Sequence, residues 1–505
     1  MKPSNDSSFF GHPGGLQTLF FTEMWERMSY YGMRALLVIF MMLAIEQQGL
    51  GLDKENAYAI YGLYTGAVYF MGLSGGWLAD RLFGGQKAVW YGGLIIMSGH
   101  IVLAIPTTST FFVGLILVVL GTGLLKPNIS AMVGQLYGEK DSRRDSGYTL
   151  YYMGINIGSI IGNFVCGWLA VEQGYHWAFG AAAVGMGLGL IQYRLTQYKL
   201  PEASSKPTVR LSASGVKNSW TGIILFLVTL AAVTYAMSFG YLVIDVVQVA
   251  EYVAYLFTAI FLLYFSFIFF FGDLSVNEKK RMISLFLICV ASACFFAGFE
   301  QAGASLNVFA NENTDRMLDI FSLNFEIPFA WFQSLNSIFI IALSPFFAVL
   351  WIQLGKRMLD PSYGVKCAIG TLIMGSGFVV MFFAAMYAAG DQKVAPYWLV
   401  ATYFLHTVGE LCLSPVALSA VSKLSPRRFS GQLMGLFVLT YSIGSVIAGV
   451  MAGAFGTDES GDVTALFSNV ATFAGIIGFV VLILALITRK WEKLPQEDNL
   501  TTAKP

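Results

Sequence analysis

Apolar runs of about twenty residues recur along the whole chain, and they restrict the fold more than any other feature of the sequence. A run of this length can cross the hydrocarbon core of a bilayer as one α-helix. Fourteen such spans are predicted, near 17–47, 56–79, 87–106, 111–135, 147–171, 177–196, 219–242, 252–272, 282–309, 328–354, 364–389, 396–422, 430–455 and 465–489. Only 12% of the residues are charged, about half the share of a typical soluble domain. The sequence therefore predicts an all-α polytopic membrane protein.

The predicted spans form groups of six, two and six. We expect an N-terminal six-helix bundle over 15–200, a linker with two additional transmembrane helices over 201–280, a C-terminal six-helix bundle over 281–490 and a cytoplasmic tail over 491–505. Two six-helix halves are typical of duplicated transporter folds with a substrate site near the midplane. The two middle spans carry almost no internal charge, so we interpret them as a structural addition that faces lipid.

Basic residues accumulate in alternate loops, which predicts the orientation of the chain in the membrane. The loops rich in basic residues contain, among others, Arg81, Lys87, Lys140, Arg143, Arg144, Lys279, Lys280, Arg281, Lys423, Arg427 and Arg428, whereas the other loops contain mainly Lys54, Arg316 and Lys393. Because loops rich in Lys and Arg stay on the cytoplasmic side, both termini are predicted to be cytoplasmic.

Several classes of function find no support in the sequence. The net charge is +0, so nothing suggests attraction to nucleic acid. The spacing of the five cysteines suits neither a metal site nor a disulfide framework, and we expect free, buried thiols. A membrane-embedded enzyme is the alternative from another class, but the chain has no HExxH, GxSxG or Walker A motif and no His/Cys cluster.

Seven ionisable residues lie inside the predicted spans: Glu23, Glu26, Arg27, Arg34, Lys126, Glu300 and Glu410. Each would cost about 2.5–3.5 kcal/mol at the bilayer centre if it were unpaired, so these side chains must face one another or a wet cavity. Glu23, Arg27 and Arg34 share one side of the first helix, and Glu23 precedes Arg27 by one turn. Four carboxylates against three cations leave one carboxylate over, which suits a titrating proton. Inert ion pairs between helices are the alternative.

Three ordered motifs resemble those of known transporters. The segment GGWLADRLFGG resembles the loop signature of the major facilitator superfamily. The first-helix motif Glu23-x-x-Glu26-Arg27, followed by SYYG, resembles that of the proton-dependent oligopeptide transporters, the POT or PTR family. LYYMGINIGS, which contains Asn156, is similar to the helix-five signature of that family. The resemblance extends over residues 15 to 490, and the extra helix pair is typical of bacterial members.

The resemblance implies a major facilitator fold that imports di- and tripeptides with protons by alternating access. The implied proton-coupling residues are Glu23, Glu26, Arg27, Lys126 and Glu300. The implied peptide-binding residues are Tyr30, Tyr31, Arg34, Tyr69, Lys126, Asn156, Glu300, Asn336, Glu410, Ser414 and Phe437. The implied cytoplasmic gating motif contains Gly76, Asp80 and Arg81. Phe437 stands where a tryptophan is common in the family, which changes the shape of that part of the pocket.

The resemblance also implies the surroundings and partners of the chain. We expect a multi-pass protein of a bacterial inner membrane, whose partners are peptides, protons and the lipid bilayer and whose functional unit is the monomer. No cofactor or metal is expected, and the proton is the only coupling ion. The alternatives are a related proton-coupled transporter of another small anionic or zwitterionic solute, such as nitrate, and a sensor that binds peptide without moving it. Dipeptide or tripeptide preference, side-chain selectivity, proton stoichiometry, oligomeric state and resting conformation stay open.

Overall fold

The computed structural model describes residues 8–138, 141–209, 211–238, 240–320, 323–388, 392–456 and 463–494. These ranges contain sixteen α-helices and one β-hairpin. The helices are α1 (Gly14–Arg34), α2 (Leu37–Met42), α3 (Lys54–Leu78), α4 (Gly85–Leu103), α5 (Thr108–Gln135), α6 (Arg144–Glu172), α7 (Tyr175–Thr196), α8 (Ala213–Ser238), α9 (Val246–Phe271), α10 (Val276–Phe299), α11 (Ser305–Glu312), α12 (Ser334–Lys356), α13 (Tyr363–Ala388), α14 (Tyr397–Leu424), α15 (Ser430–Gly456) and α16 (Val463–Thr488). Lys140, residues 239 and 389 of two predicted spans, and residues 495–505 of the predicted tail lie outside the described ranges.

The predicted fold class is confirmed, because all fourteen predicted spans are helical in the described residues. Ten helical segments there are long and apolar enough to cross a membrane by length and composition alone. The other four spans are formed by α1 with α2, by α3, by α4 and by α7. Among these, α1 departs furthest from an apolar span, since it carries the four charged residues of the first predicted helix.

Contacts between residues divide the chain into two compact units. The first contains Met1–Leu52, Ala67–Val249 and Pro328–Ser337, and the second contains Asp53–Gly66, Ala250–Ile327 and Ile338–Pro505. The second unit therefore includes the start of α3, and the first includes the start of α12. The bundle limits predicted from sequence, at 200 and 281, stay a prediction.

In the first unit, α1 packs between α6 and α7 through two different surfaces. Glycines of α6 allow direct backbone contact: a Cβ atom at Gly158 would lie 2.2 Å from the Met24 carbonyl oxygen, and one at Gly162 would lie 2.2 Å from the Met28 oxygen. On the other side, the Met28 side chain packs over Gly185 of α7. The rotation of α1 about its own axis is therefore fixed from both sides.

The second unit contains two features that the sequence analysis did not predict. The span expected over 282–309 is interrupted: α10 ends at Phe299, a 3-10 turn covers Glu300–Gly303, and α11 begins at Ser305. Gly303 allows the Tyr61 side chain to approach this turn, because a Cβ atom at Gly303 would lie 2.0 Å from the Tyr61 hydroxyl. Beyond α11, strands β1 (Met317–Ile320) and β2 (Leu323–Glu326) pair antiparallel.

The two middle helices, α8 and α9, are largely exposed, as a lipid-facing pair requires. In the 18-residue stretch of α8 that is considered as a membrane span, no residue is buried, and 22% of the residues in the corresponding stretch of α9 are buried. The buried side of α9 carries Phe257, Phe261 and Phe265, spaced four residues apart, and the last two rings pack against Phe286 of α10. All five cysteines are free and buried, which confirms that prediction.

Candidate functional site

The centre of the first unit is an ionic cluster on α1. Glu23, Glu26 and Arg27 are 0%, 0% and 1% exposed. Arg27 Nη2 donates to Glu26 Oε1 at 2.6 Å, and Arg27 Nε donates to the other oxygen of Glu26. Arg27 Nε also lies 3.3 Å from Glu23 Oε1, which confirms the predicted contact one turn apart. One guanidinium group therefore serves two buried carboxylates, and Glu26 holds the closer position.

Glu23 is the less satisfied carboxylate of this cluster. In the described part of the chain, neither of its oxygens accepts a hydrogen bond of good geometry. Its further polar neighbours are Lys126 of α5 and Tyr151 of α6. The Tyr151 hydroxyl lies 3.1 Å from Ser130 Oγ. The Glu23 carboxylate is thus neighboured by two cations and the Tyr151 hydroxyl, whereas Glu26 receives two close hydrogen bonds from Arg27.

Two tyrosines continue the cluster along α1. The Arg27 guanidinium lies 4.8 Å from the Tyr30 ring centre and 5.8 Å from that of Tyr31. The Arg34 guanidinium lies 5.6 Å from the Tyr31 ring. At such distances the ring faces attract the cations, and the attraction is stronger where water is excluded. Tyr30 and Arg34 are buried, so α1 presents a second cation beyond the ionic cluster.

Lys126 and Tyr69 come from two helices whose backbones touch. Lys126 Nζ lies 5.3 Å from the centre of the Tyr69 ring. A Cβ atom at Gly75 of α3 would lie 1.9 Å from the Gly123 oxygen of α5, so only glycine fits there. Asn128 Nδ2 also donates a hydrogen bond to the Gly75 carbonyl oxygen at 3.2 Å. This close approach fixes the cation of α5 relative to the aromatic ring of α3.

The two predicted asparagines belong to the same unit. Asn156 is buried on α6, where its amide donates to the Tyr152 carbonyl oxygen at 3.0 Å. Asn336 lies in the first turn of α12, within the segment that packs against α6. In that segment, Trp331 Nε1 donates to the Phe164 carbonyl oxygen at 3.0 Å. Asn336 and Asn156 therefore both belong to the first unit, although they come from helices far apart in the sequence.

In the second unit, the 3-10 turn between α10 and α11 holds the predicted residue Glu300. Its carboxylate is fully buried and accepts a hydrogen bond from the Tyr61 hydroxyl at 3.2 Å. The next residue, Gln301, donates to the Ala448 carbonyl oxygen at 2.9 Å and accepts from Ser305 Oγ at 2.6 Å. Tyr61 was not predicted, because α3 contains four tyrosines and no sequence signal distinguishes this one from the others.

Two other predicted residues of the second unit, Glu410 and Phe437, neighbour one tyrosine. Glu410 of α14 is an electrostatic neighbour of Tyr441, whose ring stacks on Phe296 at 4.1 Å. Phe437 is buried and its ring centre lies 5.2 Å from that of Tyr441. Tyr441 was also missed, although its spacing of four residues from Phe437 places both on one face of α15. Among the described residues, the Ser414 hydroxyl one turn after Glu410 is buried without a hydrogen-bond partner.

The predicted gating motif lies where α3 ends. The segment Ala79–Phe83 forms a π-helical turn, and Gly76 lies on the α3 side near Pro127. The Asp80 carboxylate accepts from Thr208 Oγ1 at 3.1 Å, and the Asp80 carbonyl oxygen accepts from the Val209 amide at 3.0 Å. The Arg81 guanidinium lies 5.6 Å from the Trp77 ring. The segment after α7 therefore packs directly onto the motif.

The fourteen spans found in the described residues, with ionisable groups buried inside some of them, are typical of integral membrane transporters of the major facilitator type. Residues 86–465 match the PTR2 model of the POT family. The chain is 41% identical to the peptide transporter YePEPT of Yersinia enterocolitica over 95% of both proteins, and 34% identical to the di-/tripeptide transporter of Lactococcus lactis subsp. cremoris over 96% of this chain and 97% of that protein. A crystal structure of a peptide transporter POT variant in complex with alafosfalin is 40% identical, covers 96% of both chains and superposes with a TM-score of 0.87.

The chain therefore belongs to the POT family. This membership confirms the resemblance found in the sequence. Members of the family are transporters and not enzymes, so the enzymatic alternative is removed. The ExxER motif, Glu23 to Arg27, lies before the matched range 86–465, but the relative from Yersinia matches over nearly the whole chain.

Proposed function

We propose that the protein is a proton-coupled symporter that imports di- and tripeptides by alternating access. The observation that carries this proposal is the buried cluster of Glu23, Glu26 and Arg27, in which two carboxylates share one guanidinium group. The names of the similar proteins, a peptide transporter and a di-/tripeptide transporter, support the substrate class.

Glu23 is proposed to carry the transported proton. Its carboxylate is fully buried, lies 3.3 Å from Arg27 and has the Tyr151 hydroxyl as a further neighbour. Protonation would remove the charge that this environment supports least, and it would leave Arg27 to Glu26 alone. Lys126 is the next cation near Glu23, so it would respond to the protonation state. Glu300, held by Tyr61, is proposed as the partner of Arg34 in one state of the transport cycle.

The peptide is proposed to bind by its two charged ends. Tyr30, Arg34 and Lys126 would receive the peptide carboxylate, while Glu410 with Asn156 and Asn336 would receive the amino group. A peptide backbone always presents this pair of opposite charges, so recognition of the ends leaves the side chains unspecified. The side-chain space would be lined by Tyr31, Tyr69, Ser414 and Phe437, and aromatic lining contributes contact without a strict demand for hydrogen bonds.

The proposed location is a bacterial inner membrane with both termini in the cytoplasm. The asymmetric distribution of basic loop residues supports this orientation. The gating motif with Gly76, Asp80 and Arg81 is then cytoplasmic. One chain contains every group that the proposal requires, so the monomer is the proposed functional unit, and the proton is the only coupling ion.

Uptake into proteoliposomes tests cargo and coupling together. We expect labelled dialanine and trialanine to accumulate when an inward proton gradient is imposed, and only to equilibrate without it. Accumulation of nitrate but not of peptide would assign the chain to another solute. Peptide binding without counterflow would indicate a sensor, and accumulation that ignores the gradient would contradict proton coupling.

A further inference from the structure

A cavity of about 470 Å³ lies in the second unit, where α13 begins and α16 ends. Its lining combines apolar side chains, including Leu359, Val365 and Leu486, with the basic residues Arg489, Lys490 and Lys493. None of these residues belongs to the proposed proton or peptide sites. A molecule bound in this cavity would therefore be distinct from the transported peptide and proton.

The acidic side chains near the cavity are already engaged. Asp360 Oδ1 lies 2.7 Å from Lys366 Nζ. The Glu492 carboxylate accepts hydrogen bonds from the backbone N–H groups of Tyr363 at 2.7 Å and Gly364 at 3.1 Å. By contrast, the side chains of Arg489, Lys490 and Lys493 form no ion pair with any residue in the described ranges. Within the described ranges, the lining thus carries three cations outside any ion pair, beside Asp360, which is paired with Lys366.

The same end of α16 also presents an exposed apolar stripe. Ile483, Leu486 and Ile487 are 44%, 47% and 65% exposed. These residues are spaced three and four apart on one face of the last turns of α16, and Arg489 and Lys490 follow directly after the helix ends at Thr488, so the apolar stripe leads to the cationic cluster. A soluble anion would use only the cations, whereas a lipid would place its acyl chains along the stripe and its headgroup in the cavity. The geometry favours an amphiphile.

We propose that this cavity binds the phosphodiester headgroup of an anionic phospholipid, such as phosphatidylglycerol. Arg489, Lys490 and Lys493 supply the charge, and basic pockets at the ends of transmembrane helices are suited to such headgroups. The lining comes from the start of α13 and from the end of α16, so the bound lipid contacts both helices there and links them.

Native mass spectrometry of the purified full-length chain tests the proposal, with palmitoyl-oleoyl-phosphatidylglycerol and palmitoyl-oleoyl-phosphatidylcholine as probes. We expect preferential retention of phosphatidylglycerol. The triple variant Arg489→Gln, Lys490→Gln, Lys493→Gln should bind it at least about tenfold more weakly, because three cations near the headgroup are lost. The matched variant Lys87→Gln, Arg144→Gln, Lys217→Gln removes the same charge from exposed positions of the first unit and should leave binding unchanged.

A charge-conserving variant separates binding from folding: Arg489→Lys, Lys490→Arg, Lys493→Arg should retain the lipid. Excess glycerol 1-phosphate or inorganic phosphate, which present the anion without acyl chains, should not displace it. Displacement by either one would assign the cavity to a soluble anion and overturn the lipid proposal. Equal retention of both lipids, or undiminished phosphatidylglycerol binding by the triple glutamine variant, would overturn the site itself.

Discussion

Arg27 Nε lies 3.3 Å from Glu23 Oε1, one turn away on α1, and both side chains are fully buried. Glu26 takes the closer position on the same guanidinium group. Two carboxylates that share one cation leave one negative charge to be balanced, by Lys126 or by a proton. The pair of Glu23 and Arg27 is thus the weaker of the two contacts and the one that protonation would release first.

The substitution Glu23→Gln tests this assignment, since glutamine keeps the shape but cannot titrate. We expect peptide counterflow to continue, while accumulation driven by an inward proton gradient falls to the background level. Glu172→Gln, an exposed change at the end of α6, is the control and should accumulate peptide normally. Full gradient-driven accumulation by the Glu23 variant would refute the proton role.

The substitution Glu410→Gln tests recognition of the peptide amino group. Loss of a charge-assisted hydrogen bond costs about 1.5–3 kcal/mol, which is roughly a tenfold to hundredfold loss of affinity. Competition by dialanine should weaken by that factor, whereas competition by N-acetylated dialanine, which is weak from the start, should not change. An equal effect on both competitors would indicate a structural role for Glu410.

The contact of α6 with α1 predicts a large difference between two glycines. Gly158→Ala places a Cβ atom 2.2 Å from the Met24 carbonyl oxygen, whereas at Gly187 the nearest atom is Met97 Sδ at 3.5 Å. Overpacking typically costs about 1–3 kcal/mol, and here the obstacle is backbone, which yields poorly. Gly158→Ala should lower the thermal unfolding midpoint and Gly187→Ala should not. Similar midpoints for the two variants would mean that α1 and α6 are not in direct contact.

A glycine just after the predicted gating motif and a glycine between α6 and α7 both have positive φ and can be compared. Gly84 has φ +80°, and a Cβ atom there would lie 2.7 Å from the carbonyl group of Ser205, whereas Gly174 has φ +101° and nothing within 4 Å. Alanine at either position incurs about 1–2 kcal/mol of backbone strain, but only Gly84→Ala also displaces the segment that packs on Asp80. We expect Gly84→Ala to slow counterflow well beyond Gly174→Ala. Equal rates would mean that the packing of this segment is unimportant for transport.

Glu492 gives a pH-dependent prediction for the end of the chain. Burial raises the pKa of this carboxyl group, although the backbone N–H groups of Tyr363 and Gly364 oppose the change. The folded state therefore holds the proton more tightly than the unfolded state, and this stabilisation is lost as pH rises through the raised pKa. The thermal unfolding midpoints of the wild type and of Glu492→Gln are measured in lipid-free detergent. The midpoint of the wild type minus that of the variant should decrease as the pH is raised from mildly acidic to neutral. A rise over that interval would contradict the burial effect.

Sequence patterns identified the charged side of α1, because the cost of a charge in a membrane and the helical period together restrict where Glu23, Arg27 and Arg34 can point. They did not reveal that Glu26 is the closer partner of Arg27, since that depends on side-chain rotamers. The interruption at Glu300 was also missed. An apolar run is uniform in hydropathy whether or not its helix is broken, and this break depends on the packing of Tyr61 against Gly303.

The family signature was readable because motifs of small and charged residues have fixed spacing, whereas the contribution of Tyr441 to the site was not. The chain contains 24 tyrosines, and the sequence does not indicate which of them lies near Glu410. The hairpin of β1 and β2 was missed for a different reason. Its strands have four residues each, and so short a segment does not establish an alternating pattern.

The glycine contacts between α6 and α1 limit how the substrate range of this chain can diverge during evolution. Where Gly158 and Gly162 meet the backbone of α1, any larger side chain collides with carbonyl oxygens, so that side of the helix pair tolerates almost no variation. New specificities must then arise at other positions of α1, such as Tyr30, Tyr31 and Arg34. Descendants that carry a different solute should differ there and keep both glycines.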